Sequence, residues 1–140
     1  MGEASSGATA SGGARLFYDS ACGVCVWIIA LVARRAPRGA FVLAPLDGPV
    51  ADAALAGLDR EARYASWHVV DEAGRLHSGG AALAFVAARM PGGRAVAALL
   101  RATPRLTERG YVLAARRRGV WSRLVPSRAV ARARAEVGVR

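Results

Sequence analysis

Apolar stretches of two kinds divide the first half of the chain. "ARLFYD", Ala14 to Asp19, places Leu16, Phe17 and Tyr18 in a short strand. Cys22 to Arg35 then reads as a helix, apolar from Val24 to Ala33, with Ser20 as its N-cap. Arg34 and Arg35 fall in its last turn, where positive charge suits the helix dipole, and Pro37 and Gly39 stop it. "AFVLAPL", Ala40 to Leu46, is a near-continuous apolar run between turn residues, which predicts a buried strand. Strand, helix and strand at this spacing form a βαβ unit, and its right-handed crossover implies parallel pairing.

"GPVADAALAGLDREAR" predicts a modest helix with Val50, Ala54, Leu55 and Leu58 on one face. "SWHVVD" and "GRLHSG" flank "DEAG", two short strands around a turn containing glycine, so a hairpin is expected. "GAALAFVAARM" is helical up to Pro91-Gly92-Gly93, a further helix runs to about Ala102, and another covers Arg105 to Arg118. The order is β-α-β-α-β-β-α with additional C-terminal helices. This predicts an α/β chain of 1–14 as a disordered lead of Gly, Ser and Ala, 15–125 as one domain, and 126–140 as a basic tail.

Composition adds a source and a charge map. All twenty basic residues are arginine, which with the alanine and glycine load resembles the codon bias of a GC-rich genome, so a bacterial source is expected. Residues 1–100 carry nine Arg against eight acids, whereas residues 101–140 carry eleven against two, Glu108 and Glu136. A nearly neutral body therefore precedes a basic C-terminal region. The start has no cationic segment and no apolar core of a secretory signal, so the cytoplasm is the expected compartment. There a structural disulfide is rare, and a close cysteine pair is more often catalytic or metal-binding.

Cys22 and Cys25 are the two cysteines of the chain, between the first strand and first helix. A CxxC in that place is expected for a thioredoxin-like, three-layer fold. In the first helical turn, unpaired N–H groups and the positive dipole end favour the Cys22 thiolate, while Cys25 sits one turn further in. Cys22 would attack a disulfide and Cys25 would resolve the mixed disulfide. Asp19, three residues before Cys22, is either a partly buried proton relay or a cap of the turn, and capping is the simpler use. Zinc competes poorly: His68 and His77 lie nine residues apart, outside the usual ligand spacing, and no second CxxC exists. No metal and no cofactor are expected.

"YDSACGVC" resembles the D-x-x-C-x-x-C signature of the DCC family of thiol-disulfide oxidoreductases, which have a thioredoxin-like fold. "FVLAPLD", "WHVVDEAGRLHSGGAALAFVAARM" and "LLRATPRLTERGYVLAARRRGVWSRLV" resemble its later segments in order, over about residues 15–125. The resemblance marks Asp19, Cys22 and Cys25 as site residues. Ser20 stands where the family commonly has Gly, and Arg116-Arg117-Arg118 where it commonly has Asn. Thioredoxins also place a cis-proline before the strand facing the site, whereas here Ala65-Ser66 leads into Trp67.

The first helix is apolar nearly all round, so burial beneath helices 94–102 and 105–118 is expected. The alternative is that Val24, Trp27 and Ile28 dock a partner protein or lipid. The arginine-rich C-terminus fits weak contact with an anionic membrane or acidic partner, and carries no recognised nucleic-acid module. The function expected is therefore thiol-disulfide exchange on a disulfide-containing protein or small thiol. Its alternative is a thioredoxin-like protein- or membrane-docking module with non-catalytic cysteines.

Overall fold

The computed structural model describes residues 12–138. The reading of a disordered lead falls, up to residue 11, outside them. Four strands form one sheet: β1 (Ala14–Tyr18), β2 (Phe41–Pro45), β3 (His68–Val70) and β4 (Leu76–Ser78), in the spatial order β2-β1-β3-β4. β1 and β2 pair in parallel, Leu16 opposite Leu43, and β3 pairs antiparallel with both β1 and β4. This is the thioredoxin-like arrangement the element order predicts, with the βαβ crossover made by α1 (Gly23–Arg35).

Period-two alternation along β1 builds the three layers. Ala14, Leu16 and Tyr18 face one side, where they pack with Val26, Ile29 and Ala30 of α1. Ala82 and Val86 of α4 (Gly80–Arg89) complete that layer. Phe17 faces the other side, against Ala51 and Leu55. These belong to α2 (Pro49–Ala54) and its C-cap, and Tyr64 of α3 (Arg60–Ala65) packs beside them. The expected single helix over this stretch is thus two. Asp59 Oδ1 accepts the Ala62 N–H at 2.7 Å and starts α3 afresh. The face turned inward is Ala51 and Leu55, with Ala54 and Leu58 packed half-buried against it as expected; Val50 is exposed.

Four more helices follow: α5 (Arg94–Ala102), α6 (Pro104–Arg116), α7 (Arg118–Leu124) and α8 (Ser127–Val137). The expected helix Arg105 to Arg118 breaks at Arg117 into α6 and α7. α5 and α6 pack on α4. Glu108 of α6 accepts the Gly80 N–H at 2.8 Å, so close that a side chain at Gly79 or Gly80 would collide with its carboxylate. The helix that packs along α1 is α8, not α5 or α6 as the apolar surface of α1 led us to expect. Val130, Ala133 and Val137 recur along one face of it, and Ala133 is fully buried in the core of α1. The segment 126–140, set apart above as a basic tail, is therefore helical over Ser127–Val137 and joined to the body. Among the described residues, no helix is long and apolar enough to cross a membrane.

Candidate active site at the start of the first helix

β1 ends at Tyr18, and the chain turns within four residues before α1 begins. Asp19 makes the turn: its Oδ1 accepts the Ala21 N–H at 3.0 Å, and its carbonyl accepts the Cys22 N–H at 3.2 Å. An aspartate binding the backbone two residues on mimics a turn of main chain. Cys22 is then itself the N-cap of α1, in place of Ser20, and its Sγ accepts the Cys25 N–H at 3.4 Å. Ser20 instead donates to Asp47 Oδ1 at 3.3 Å. Cys22 thus precedes the first helical turn and faces the N–H groups that turn leaves unpaired.

Cys22 and Cys25 are joined by a disulfide with their Cα atoms 5.2 Å apart. Their exposure differs: Cys25 is 5% exposed, and Cys22 is half-buried. Of the two sulfur-bearing residues, Cys22 is thus the more accessible from solvent.

Three further groups fix the surroundings, and the sequence did not single any of them out. Arg134 of α8 donates to the Ser20 carbonyl at 2.7 Å. One turn earlier, Val130 lies where a Gly23 side chain would be, 3.3 Å from that position. α8 thus rests against the turn that presents Cys22. Arg118, at the start of α7, approaches Asp19 Oδ2 at 3.7 Å and donates to the carbonyls of Ala115 and Tyr64. Nothing local distinguishes it from Arg116 and Arg117; the turn at Arg117 aims it back.

Across from α1, Ser66 and Trp67 line the same cavity as Cys25. The Trp67 N–H donates to the Tyr111 hydroxyl at 2.7 Å. Burial raises the Tyr111 pKa, which keeps that hydroxyl neutral. The backbone position where a proline was missing is therefore occupied by a tyrosine from α6. The cavity measures about 890 Å³ and runs from Asp19 and Cys25 between α1 and α5–α7.

The two histidines lie elsewhere and apart in use. His68 is buried in β3; its Nε2 faces the Arg63 carbonyl at 2.9 Å and its Nδ1 faces Ser78 Oγ at 2.7 Å. A carbonyl only accepts, so Nε2 carries the proton and Nδ1 accepts from the hydroxyl. Burial is the main cause holding its pKa below the ordinary value. His77 bonds Asp71 Oδ2 at 3.0 Å. Among the described residues, no group of three or more His, Cys, Asp or Glu is gathered to hold a metal ion.

A disulfide-forming CxxC at the strand-to-helix turn of this sheet defines a thioredoxin-like dithiol protein. More narrowly, the chain belongs to the DCC1-like thiol-disulfide oxidoreductase family, whose model matches residues 16–124. No curated protein and no solved structure matches it significantly. Membership and the cysteine pair at disulfide distance together give the protein a general redox role.

Proposed function

We propose that the protein is an enzyme of thiol-disulfide exchange, with Cys22 as nucleophile and Cys25 as resolving thiol. The observation that carries this reading is the disulfide between a half-buried helix-capping Cys22 and a Cys25 only 5% exposed. In the reduced protein, the helix N-terminus stabilises the Cys22 thiolate. Lowering a thiol pKa from about 8.5 to about 7 raises the thiolate fraction at neutral pH from a few per cent to roughly half. That thiolate attacks one sulfur of the partner's disulfide, the partner's S–S bond breaks, and its other sulfur leaves as a thiolate that takes a proton from solvent. Cys25, deprotonated, then attacks Cys22 Sγ and expels the second partner sulfur. Two electrons have passed to the partner, and the Cys22–Cys25 disulfide has formed. The reverse sequence oxidises a dithiol partner.

Asp19 lines the same cavity as Cys25, which supports it as the carboxylate that takes the proton Cys25 gives up. It also holds the turn through Ala21, so the relay and the cap considered from the sequence are compatible uses. The partner is a disulfide-containing protein or small thiol, and no metal or cofactor enters these steps.

The test is reduction of insulin with dithiothreitol as donor, for wild type, Cys22→Ser and Cys25→Ser. Both variants should lose turnover, and Cys25→Ser should accumulate a mixed disulfide through Cys22. Full turnover in either variant removes the reading.

A further inference from the structure

Two helices beside the cysteine pair bury no residue completely: among the described residues, Tyr111 and a few others of α6 and α7 are half-buried and none is fully so. Their apolar side is nonetheless continuous. Thr103, Leu106, Gly110, Tyr111, Ala114 and Arg118 recur at three- and four-residue spacing along one wall of the cavity. Leu106 is 69% exposed there, and Leu124 of α7 is 68% exposed. Amphipathic helices are normally held by covering such a stripe, so this one is half of an interface. Val24, Cys25, Trp27 and Ile28 of α1 form the facing wall, which leaves a slot between helices.

The walls state what the slot will not take. Thr103 Oγ1 donates to the Leu99 carbonyl at 3.0 Å, and Thr107 Oγ1 to that of Leu100 at 2.9 Å. Ser66 Oγ donates to the Trp67 carbonyl, and the Trp67 N–H is taken by Tyr111. An extended peptide would bring unpaired backbone groups into a slot where the Ser66, Thr103 and Thr107 hydroxyls and the Trp67 main-chain N–H are already engaged. A helix brings a backbone satisfied within itself and an apolar stripe of matching shape.

Charge selects among apolar occupants. From Arg94 to Leu124 there are eight arginines and one carboxylate, Glu108, which is bound to Gly80. Arg118 lines the slot and the other seven are spread along α5, α6 and α7 outside its lining, so the complement is negative charge distributed along an occupant's flanks. An acidic amphipathic helix has that distribution, whereas a single lipid molecule concentrates its charge at one end. A second copy of this region would bring the same positive sign and be repelled.

We infer that the slot between α1 and α6–α7 docks an amphipathic helix of a partner protein, apolar on one face and acidic on the other. The inference rests on the redox reading for its purpose: Cys25 is a wall of the slot, so the docked helix brings the partner's disulfide to Cys22.

The probe is a fluorescent peptide of roughly 18 residues, five helical turns, with Leu at i, i+3, i+4 and i+7, Glu on the other face and no cysteine. Anisotropy titrations of the full chain compare it with a scrambled peptide of the same composition and with a version carrying Lys for Glu. The acidic helix should bind at least about tenfold tighter than either control and weaken as salt rises. Leu106→Glu and Leu124→Glu, each with a wild-type melting curve, should each weaken it by about tenfold or more. Absence of binding, or equal binding of all three peptides, overturns the inference. Uptake by phosphatidylglycerol vesicles that both variants abolish and the peptide does not compete overturns it in favour of a membrane. The probe has no thiol, and Cys22→Ser should bind it like wild type, so failure of docking and failure of the redox reading are separate results.

Discussion

α1 and α6 are each thirteen residues long and stand on opposite sides of one cavity. α1 buries six residues, whereas α6 buries none. α1 is apolar nearly all round because it is covered on several sides, by the sheet, by α4 and by α8. α6 is apolar along one stripe and carries arginine on the rest. The same length of helix therefore serves two ends. One organises the core and fixes the cysteine pair, and the other offers a surface.

Four measurements test whether that contrast is real. The largest effect belongs to α1: Ile29 is fully buried, so Ile29→Ala should cost about 2–5 kcal/mol. In thermal unfolding that corresponds to a drop of roughly 5–15 °C. A drop of a degree or two would mean that α1 is not the anchor of the core.

Acid comes next and acts on the sheet. His68 fits its site neutral, so stability is complete above about pH 6.5, its ordinary pKa, and falls as pH drops, because the unfolded chain takes up the proton first. The melting temperature should therefore decline from pH 6.5 to 5, and His68→Gln should flatten that slope. Asp71 works lower on the scale. Its hydrogen bond with His77, then those with Arg75, hold its carboxyl well below the usual range. Its contribution is present above about pH 4 and is lost below it.

Tyr111→Phe addresses the joint between the two regions. It removes the acceptor of the Trp67 N–H and should cost about 1 kcal/mol, read as a small shift in urea midpoint at constant slope. The smallest effect is expected on α6 itself. Leu113 is 54% exposed, and Leu113→Ala should change stability by less than about 0.5 kcal/mol. A cost like that of Ile29→Ala would show that α6 is covered in solution.

What the sequence revealed follows from the range of the forces involved. β1, α1 and β2 are set by local periodicity and by Pro37 and Gly39, and they lie within a residue of their expected bounds. The cysteine pair is equally local, since a three-residue spacing at a helix start fixes its geometry. The split of α2 from α3 turns on one cap, Asp59, inside an otherwise helical run. α8 escaped because alanine and valine stripes give little contrast among arginines. Arg118, Tyr111 and Arg134 reach their partners across 99, 44 and 114 residues of chain, distances over which no spacing rule operates.

The family match stops at residue 124, whereas the turn that presents Cys22 leans on residues 130 and 134. A protein trimmed to the matched stretch would keep both sulfurs, the sheet except Ala14 and Arg15 of β1, and α1, α6 and α7 beside the slot. It would lose the guanidinium clasping the Ser20 carbonyl and leave the outer flank of α1 wet. The turn that presents the cysteines is thus supported from beyond the stretch by which the family is recognised, and trimming at that border would yield a chain with its motif intact and that turn unsupported.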